Sequence, residues 1–198
     1  MMHKVTVELG ERSYPIVIGS GIADEVIAFV SQAGYAPRGM IVTDTNVGPR
    51  YAAHTAEQIA RGGVDAAIVT VPAGESSKSL TIANDLYTRA IELRLDRKSP
   101  IFALGGGVVG DLAGFIAATY MRGVPFVQLP TSLLAQVDSS VGGKVAVNHA
   151  LGKNLIGAFY QPDAVIMDLD RLRTLPAREI ATGLGEIIKY GVIADAAF

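Results

Sequence analysis

A cluster of glycines in the middle of the chain follows an apolar run and fits the pattern G-x-G-x-x-G at positions 105, 107 and 110. Glycine there lets a backbone approach a pyrophosphate, and N–H groups at the start of a helix donate hydrogen bonds to it. The acidic residue expected about 20 positions later in a regular dinucleotide fold is absent. The pattern therefore predicts either a cofactor-binding turn of unusual type or a tight structural turn.

Two further groups of polar residues directly follow predicted strands. Asp44 and Asn46 come after one strand, and Glu75 and Lys78 come after the next. At the carboxyl ends of parallel strands, such side chains can hold the hydroxyl groups of a ribose or a charged ligand. They can equally cap turns or lie in a solvated loop, and Ser79 is placed to cap the following helix. The residues alone leave both interpretations open.

The segment 131–161 is rich in Gly, Ser, Asn and Lys and shows little periodicity, so we predict a long functional loop. Its first part places Asp138, a glycine pair and Lys144 close together, and its second part adds Lys153 and Asn154. A flexible backbone can wrap an anion, and lysine neutralises it. With Arg122, the two lysines offer three cations for a phosphorylated, carboxylated ligand.

Near the end of the sequence, Glu186, Lys189 and Tyr190 have the spacing of one helix face. On the residues alone we interpret Glu186 and Lys189 as an intrahelical ion pair worth roughly 0.2–0.5 kcal/mol. The three histidines form no recognisable metal-binding pair.

The composition limits the class of protein. The 198 residues are 49% hydrophobic and 18% charged, with a net charge of −2 and no cysteine. These values are typical of a soluble α/β protein, and they exclude disulfides, thiolate ligands and a basic surface for nucleic acid. No apolar run approaches the roughly 20 residues that span a membrane, and the first residues lack a secretion signal. We therefore expect a cytoplasmic protein with no membrane or nucleic-acid partner.

The elements that must position these residues alternate between strand and helix. Alternating runs at 4–9 and 14–18 predict a β-hairpin; strands follow at 39–43, 66–71, 101–104, 126–129 and 164–168, and helices at 22–32, 49–61, 80–93 and 112–119. This order indicates a Rossmann-like, mostly parallel sheet with crossover helices. A last helical pattern runs from 176 towards 198 and shows no stop signal, so we expect the chain to be part of a longer protein.

Several motifs together resemble the 3-dehydroquinate synthase family of sugar-phosphate cyclases. They are GGGVVGDLAGF from 105, RG from 122, QLPTSLLAQVDSSVGGK from 128, VNH from 147, GKNLIGAFYQP from 152 and GEIIKYG from 185. They occur in the family's order and at its spacing over essentially the whole chain. Two positions depart from the family pattern, since Ser132 replaces a threonine and Ala150 a proline.

The resemblance implies roles for individual residues. The positions that match the family's NAD site are Asp44, Asn46, Glu75, Lys78, Gly107, Val108, Val109, Gly110, Asp111, Thr131, Ser132, Lys144, Lys153 and Thr174. Those that match its substrate site are Asp138, Lys144, Asn154 and Lys189, together with Arg122, which matches an arginine that reaches the substrate phosphate across a homodimer interface. Glu186 matches the carboxylate ligand of a divalent metal, zinc or cobalt, which replaces our interpretation of it as a simple ion pair.

The implied reaction converts 3-deoxy-D-arabino-heptulosonate 7-phosphate to 3-dehydroquinate and phosphate in the shikimate pathway. NAD is used catalytically, and the metal acts as a Lewis acid. The resemblance assigns residues 1–175 to the NAD-binding domain and 176–198 to the start of a helical metal and substrate domain. It places the two histidine metal ligands beyond residue 198, so we expect the 198-residue chain to be inactive by itself.

Other functions stay open at this point. A related cyclase that makes an inosose or a valiolone would share the fold and the cofactor. A metal-dependent alcohol dehydrogenase of similar architecture would have little use for three cations. A stand-alone, non-catalytic NAD-binding module is an alternative of a different class.

Overall fold

The computed structural model describes residues 2–195 and consists of a sheet covered by helices on both faces. The strands are β1 (Met2–Val7), β2 (Tyr14–Gly19), β3 (Arg38–Asp44), β4 (Asp65–Val71), β5 (Ile101–Gly105), β6 (Phe126–Pro130), β7 (Lys144–His149), β8 (Gly152–Phe159) and β9 (Ala164–Asp168). The helices are α1 (Ala23–Gln32), α2 (Gly48–Arg61), α3 (Leu80–Glu92), α4 (Gly107–Thr119) and α5 (Ala177–Ile193).

Seven strands form the main sheet in the order β1-β2-β9-β6-β5-β3-β4. The β1–β2 pair is antiparallel, and all other neighbours are parallel. This confirms the predicted Rossmann-like, mostly parallel sheet with an N-terminal hairpin. The central strands are buried on both faces, which explains why β5 and β6 consist almost entirely of apolar residues.

Two apolar cores cover the two faces of the sheet. One core includes Val26 of α1 and Ile59 of α2, and the other includes Leu86 of α3 and Ile116 of α4. The connection from β3 runs through α2 to β4, whereas the connection from β5 runs through α4 in the opposite direction to β6. The strand order therefore reverses between β3 and β5, and such a reversal opens a crevice at the carboxyl ends of the strands where α/β proteins bind ligands.

Helix α4 lies between the main sheet and the β7–β8 hairpin. It packs on the sheet with one face and under the β7–β8 hairpin with another, and most of its residues are buried. A methyl group added to Gly114 would lie only 2.3 Å from Cγ1 of Val145, so the absent side chain lets the hairpin approach the helix closely. The hairpin adds a third layer over the crevice side of the molecule.

The structure corrects two expectations from the sequence. The segment 131–161 is not a long loop, because it contains a five-residue π-helical turn at Ala135–Ser139 and the antiparallel pair β7–β8. Helix α4 begins at Gly107 and not at 112, so the glycine cluster forms its first turn. The helical pattern predicted towards 198 is confirmed as α5 up to Ile193, and its last residues lie outside the described part. Within residues 2–195, no helix is long and apolar enough to cross a membrane.

Candidate active site

The first turn of α4 lies at the crevice between β3 and β5. Its N-cap is Gly106, which has no side chain, so no side-chain cap satisfies the N–H groups of the first turn. A methyl group added to Gly107 would lie 2.9 Å from Oγ of Ser139, because the π-helical turn lies directly against this point. The turn is thus a partly accessible set of backbone donors with positive dipole character, held at close range by its neighbours.

A buried ion pair joins the loop after β4 to this first turn. The Nζ atom of Lys78 donates to Oδ2 of Asp111, and the two side chains are 5% and 18% exposed. Burial raises the pKa of Asp111 above its ordinary value, and the hydrogen bond and charge of Lys78 partly offset that effect. Lys78 is therefore not in a solvated loop, although Ser79 caps α3 as the sequence predicts, accepting from the N–H of Ile82 at 3.3 Å.

Asn148 connects the same loop to the β7–β8 hairpin. Its Nδ2 atom donates to Oε1 of Glu75 at 2.8 Å, and its Oδ1 atom accepts from the N–H of Asn154 at 3.0 Å. The backbone N–H of Asn148 donates to the carbonyl oxygen of Lys78 at 2.8 Å. Lys153 lies 3.7 Å from the same Glu75 oxygen. These bonds bring Glu75, Lys78, Lys153 and Asn154 together.

We expect Asn148→Ala to destabilise the protein by about 1–2 kcal/mol, because Glu75 and the N–H of Asn154 both lose a hydrogen-bond partner. The measurement is the free energy of unfolding from urea titration. Asn84→Ala, at an exposed position of α3, is the matched control and should be neutral or slightly stabilising. Equal stability changes in the two variants would contradict a structural role for the Asn148 bridge.

A cleft of about 490 Å³ opens beside α4, under the hairpin. Three of the side chains that line it, those of Asp138, Lys144 and Asn154, were predicted as substrate contacts, and Asp111 lines it as well. Leu155 and Phe159 of β8 contribute an apolar wall that the sequence prediction missed. Ser139 was missed too, since one serine beside another in a polar segment carries no signal of its position.

Other predicted positions also lie at the carboxyl edge, but several have structural partners. Oδ1 of Asp44 accepts from the N–H groups of Asn46 and Val47 at 2.8 and 2.9 Å, so this carboxylate caps the turn into α2. Ser132 accepts from the N–H of Ala135 at 3.3 Å and caps the π-helical turn. Thr131 is buried next to Gly105.

Thr174 lies at the end of a short helical segment, Leu169–Thr174, and contacts α2. Its Oγ1 atom is 2.5 Å from the hydroxyl of Tyr51. The bond ties the segment after β9 to the helix after β3.

Arg122 lies outside the cleft. It follows α4 at the end opposite to Gly107, and a helix of this length spans roughly 20 Å. The three cations offered by the sequence therefore do not converge within one chain, because α4 separates Arg122 from the first-turn site. Of these three, Lys144 and Lys153 lie on the β7–β8 hairpin, and Lys144 lines the cleft.

On α5, Nζ of Lys189 contacts Oε1 of Glu186 and lies 4.8 Å from the centre of the Tyr190 ring. The hydroxyl of Tyr190 donates to the carbonyl oxygen of Val137 at 3.2 Å and lies 3.5 Å from Oδ1 of Asp138. These contacts place α5 beside the π-helical turn and confirm the helical spacing of Glu186, Lys189 and Tyr190.

The model of the 3-dehydroquinate synthase N-terminal family matches residues 68–182, which include the first turn of α4, the hairpin and the start of α5. The chain belongs to the 3-dehydroquinate synthase family. A relative named 3-dehydroquinate synthase, from Desulforamulus reducens, is 56% identical over 197 residues; the match covers 100% of this chain and 55% of that protein. The chain thus spans about half the length of the curated relative.

Two solved structures are similar in fold. A 2-deoxy-scyllo-inosose synthase, solved with carbaglucose-6-phosphate, NAD⁺ and Co²⁺, has a TM-score of 0.88 at 29% identity, and the match covers 94% of this chain and 51% of that one. The valiolone synthase ValA from Streptomyces hygroscopicus, solved with NAD⁺ and Zn²⁺, has a TM-score of 0.84 at 29% identity, covering 96% and 52%. The family fold is thus shared with other sugar-phosphate cyclases.

A metal site is not complete in the described part of this family member. Residues 2–195 contain no group of three His, Asp or Glu side chains that could hold an ion. Catalytic zinc sites normally use three protein ligands. Glu186, whose carboxylate contacts Lys189, does not form such a site with its present neighbours.

Proposed function

We propose that this chain is the NAD-binding part of a 3-dehydroquinate synthase that converts 3-deoxy-D-arabino-heptulosonate 7-phosphate to 3-dehydroquinate and phosphate. Membership of the family supports the proposal, as does the relative at 56% identity. The observation that carries it is the arrangement around α4, where an uncapped helix start, a buried ion pair and the lysine-lined cleft adjoin one another.

The residues at the crevice fit a dinucleotide. The first turn of α4 has no side-chain cap and can offer its backbone donors to a pyrophosphate, and the missing side chain at Gly107 lets Ser139 pack against this turn. Asp44 uses a single oxygen, Oδ1, for its two backbone bonds. The NAD⁺ present in the two solved cyclases supports the same assignment.

We assign distinct tasks to the residues around the cofactor. The Lys78–Asp111 pair is close to neutral as a unit, so it fixes the first turn of α4 without cancelling the attraction of the helix start for a phosphate. Lys153, held near Glu75, would add positive charge at the hairpin side. When bound, NAD⁺ would accept a hydride from a secondary alcohol of the substrate and later return it.

The substrate would occupy the cleft under the hairpin. Lys144 and Asn154 would bind its charged and hydroxyl groups, Asp138 would accept hydrogen bonds from hydroxyl groups, and Leu155 and Phe159 would contact its carbon skeleton. Lys189 would approach from α5. Because Arg122 lies outside the cleft, we propose that it serves the site of a second subunit in a homodimer.

We further propose that residues 1–175 form the NAD-binding domain and that α5 begins a helical domain that completes the metal and substrate site. Glu186 would supply one ligand to the divalent ion, zinc or cobalt, after leaving Lys189. The other ligands would come from parts of the enzyme other than residues 2–195. We expect the enzyme to act in the cytoplasm.

The decisive experiment is product analysis with the full-length protein that contains this chain. We expect it to release phosphate and form 3-dehydroquinate from the heptulosonate phosphate when NAD⁺ and a divalent metal are supplied. The 198-residue chain by itself should show no turnover, because residues 2–195 hold no complete metal site.

Alternative products separate the competing functions. Formation of an inosose from glucose 6-phosphate, or of a valiolone from a heptulose phosphate, would assign the enzyme to a related cyclase. NAD⁺ binding without turnover of any of these substrates by the full-length protein would indicate a non-catalytic module. Normal turnover by the 198-residue chain would contradict the proposed division of the active site.

A further inference from the structure

The turn that carries Arg122 has an unusual backbone. Met121, Arg122 and Gly123 have successive φ angles of 50°, 68° and 121°, all in the left-handed region. Residues with a side chain rarely adopt such angles, so two of them in a row require support from their surroundings. The N–H of Gly123 donates to the carbonyl oxygen of Tyr120 at 3.0 Å, which closes the turn from within.

Tyr160 supports this turn from outside. Its hydroxyl donates to the carbonyl oxygen of Val124 at 2.7 Å, and a methyl group added to Gly123 would lie 3.2 Å from the same hydroxyl. Val124 is only 2% exposed. Loss of the hydroxyl would therefore leave a carbonyl group in a place that water does not readily reach.

The backbone of Tyr160 supports a second turn. Its N–H donates to the carbonyl oxygen of Gly143 at 2.7 Å. Gly142 and Gly143 have φ angles of 91° and 67°, and Lys144, which lines the cleft, follows directly. One residue thus joins two left-handed turns, and each turn carries or precedes a cation.

We propose that Tyr160 is a positioning residue that fixes Arg122 and Lys144 for a phosphorylated substrate. The inference rests on the proposed function, which assigns both cations to substrate binding. A charge-assisted hydrogen bond to phosphate depends on the placement of the donor, so a displaced turn weakens it. Tyr160 itself does not line the cleft, so we assign it no contact with the substrate.

The test uses the full-length enzyme with Tyr160→Phe, which removes the hydroxyl and keeps the ring. Tyr87→Phe is the matched control, because Tyr87 packs against the same apolar core and its hydroxyl bonds Oγ1 of Thr119 at 2.6 Å, on the α3–α4 side. Melting temperatures of both variants report any general loss of stability. Affinities for inorganic phosphate and for NAD⁺, and the values of KM and kcat, report the site.

For Tyr160→Phe we expect KM for the sugar phosphate to rise about fivefold while kcat changes less than about twofold, the signature of lost uniform binding. The affinity for inorganic phosphate should fall by a similar factor, and that for NAD⁺ should stay unchanged. Tyr87→Phe should change neither the KM for the sugar phosphate nor the affinity for inorganic phosphate. In an Arg122→Ala background, Tyr160→Phe should weaken phosphate binding less than it does alone, because coupled residues are not additive.

Equal phosphate affinities in Tyr160→Phe and Tyr87→Phe would overturn the proposal. A parallel loss of NAD⁺ affinity would overturn it too, since that indicates a general disturbance. So would full additivity of Tyr160→Phe with Arg122→Ala, because the hydroxyl supports the turn that carries Arg122. If the wild-type enzyme failed to convert the heptulosonate phosphate, the proposed function would be wrong, and the comparison of phosphate affinities would still decide the role of Tyr160.

Discussion

Gly107→Val should weaken NAD⁺ binding at least about 100-fold, which corresponds to roughly 2.7 kcal/mol of binding free energy. The Cβ atom would lie 2.9 Å from Oγ of Ser139, so the branched side chain would displace Ser139 or the first turn of α4. The backbone donors of the turn would then no longer be placed for a pyrophosphate. Isothermal titration calorimetry on the 198-residue chain and on the full-length protein measures the effect.

Gly191→Val is the matched control for this change. Gly191 also lies in a helix, and an added methyl group there has no neighbour within 4 Å. Both variants carry the cost of valine in a helix, and Gly107→Val alone also meets Ser139. The free energies of unfolding of both variants therefore accompany the NAD⁺ affinities, so that a loss of binding can be separated from a loss of stability. Retained NAD⁺ affinity in Gly107→Val would show that the dinucleotide does not bind at this turn.

Lys78→Ala should have the largest effect on stability, a loss of about 3–5 kcal/mol, because it leaves the buried carboxylate of Asp111 without its cation. NAD⁺ affinity should fall as well, since the pair fixes the first turn of α4. Lys153→Ala is the control, because its ion pair with Glu75 is largely exposed and should contribute less than about 1 kcal/mol. Urea titration gives both free energies of unfolding.

The pH dependence provides a separate check on Lys78→Ala. The pKa of Asp111 is raised by burial in the wild type, and removal of Lys78 raises it further because that residue lowers it. A carboxyl group with a raised pKa favours the folded state when protonated, and this contribution is lost as the pH rises through the raised pKa. The loss of unfolding free energy caused by Lys78→Ala should therefore be larger at neutral than at mildly acidic pH. Partial recovery of stability in Lys78→Ala with Asp111→Asn would identify the unpaired charge as the cause.

The main sheet could be predicted because its signals are local. Buried parallel strands such as β5 are short apolar runs, and the helices between them, such as α2, have one apolar face. The β7–β8 hairpin was not predicted, because β8 is largely exposed and its residues show no alternation of buried and exposed types. The start of α4 was missed because glycine disfavours helices, and here the surrounding elements outweigh that preference.

The candidate site was predictable in its residue types but less so in its geometry. Lys78 is buried because it meets Asp111, which lies 33 positions later in the chain, and no local pattern reports such a pairing. The distance of Arg122 from the cleft depends on the length and direction of α4. The bridging role of Asn148 requires the hairpin to lie beside the loop after β4, which the sequence did not predict.

The position of β9 in the sheet has a consequence for how the protein is made. This strand is the last one along residues 2–195 but lies between β2 and β6, so the β1–β2 hairpin has no parallel neighbour until residues 164–168 leave the ribosome. Until then, β2 and β6 both present open strand edges, which are the surfaces most prone to pairing with other chains. Synthesis of β9 is thus the step that joins the two parts of the sheet. If the ribosome stalls before this strand is made, the nascent chain keeps two unpaired strand edges that a chaperone would have to protect.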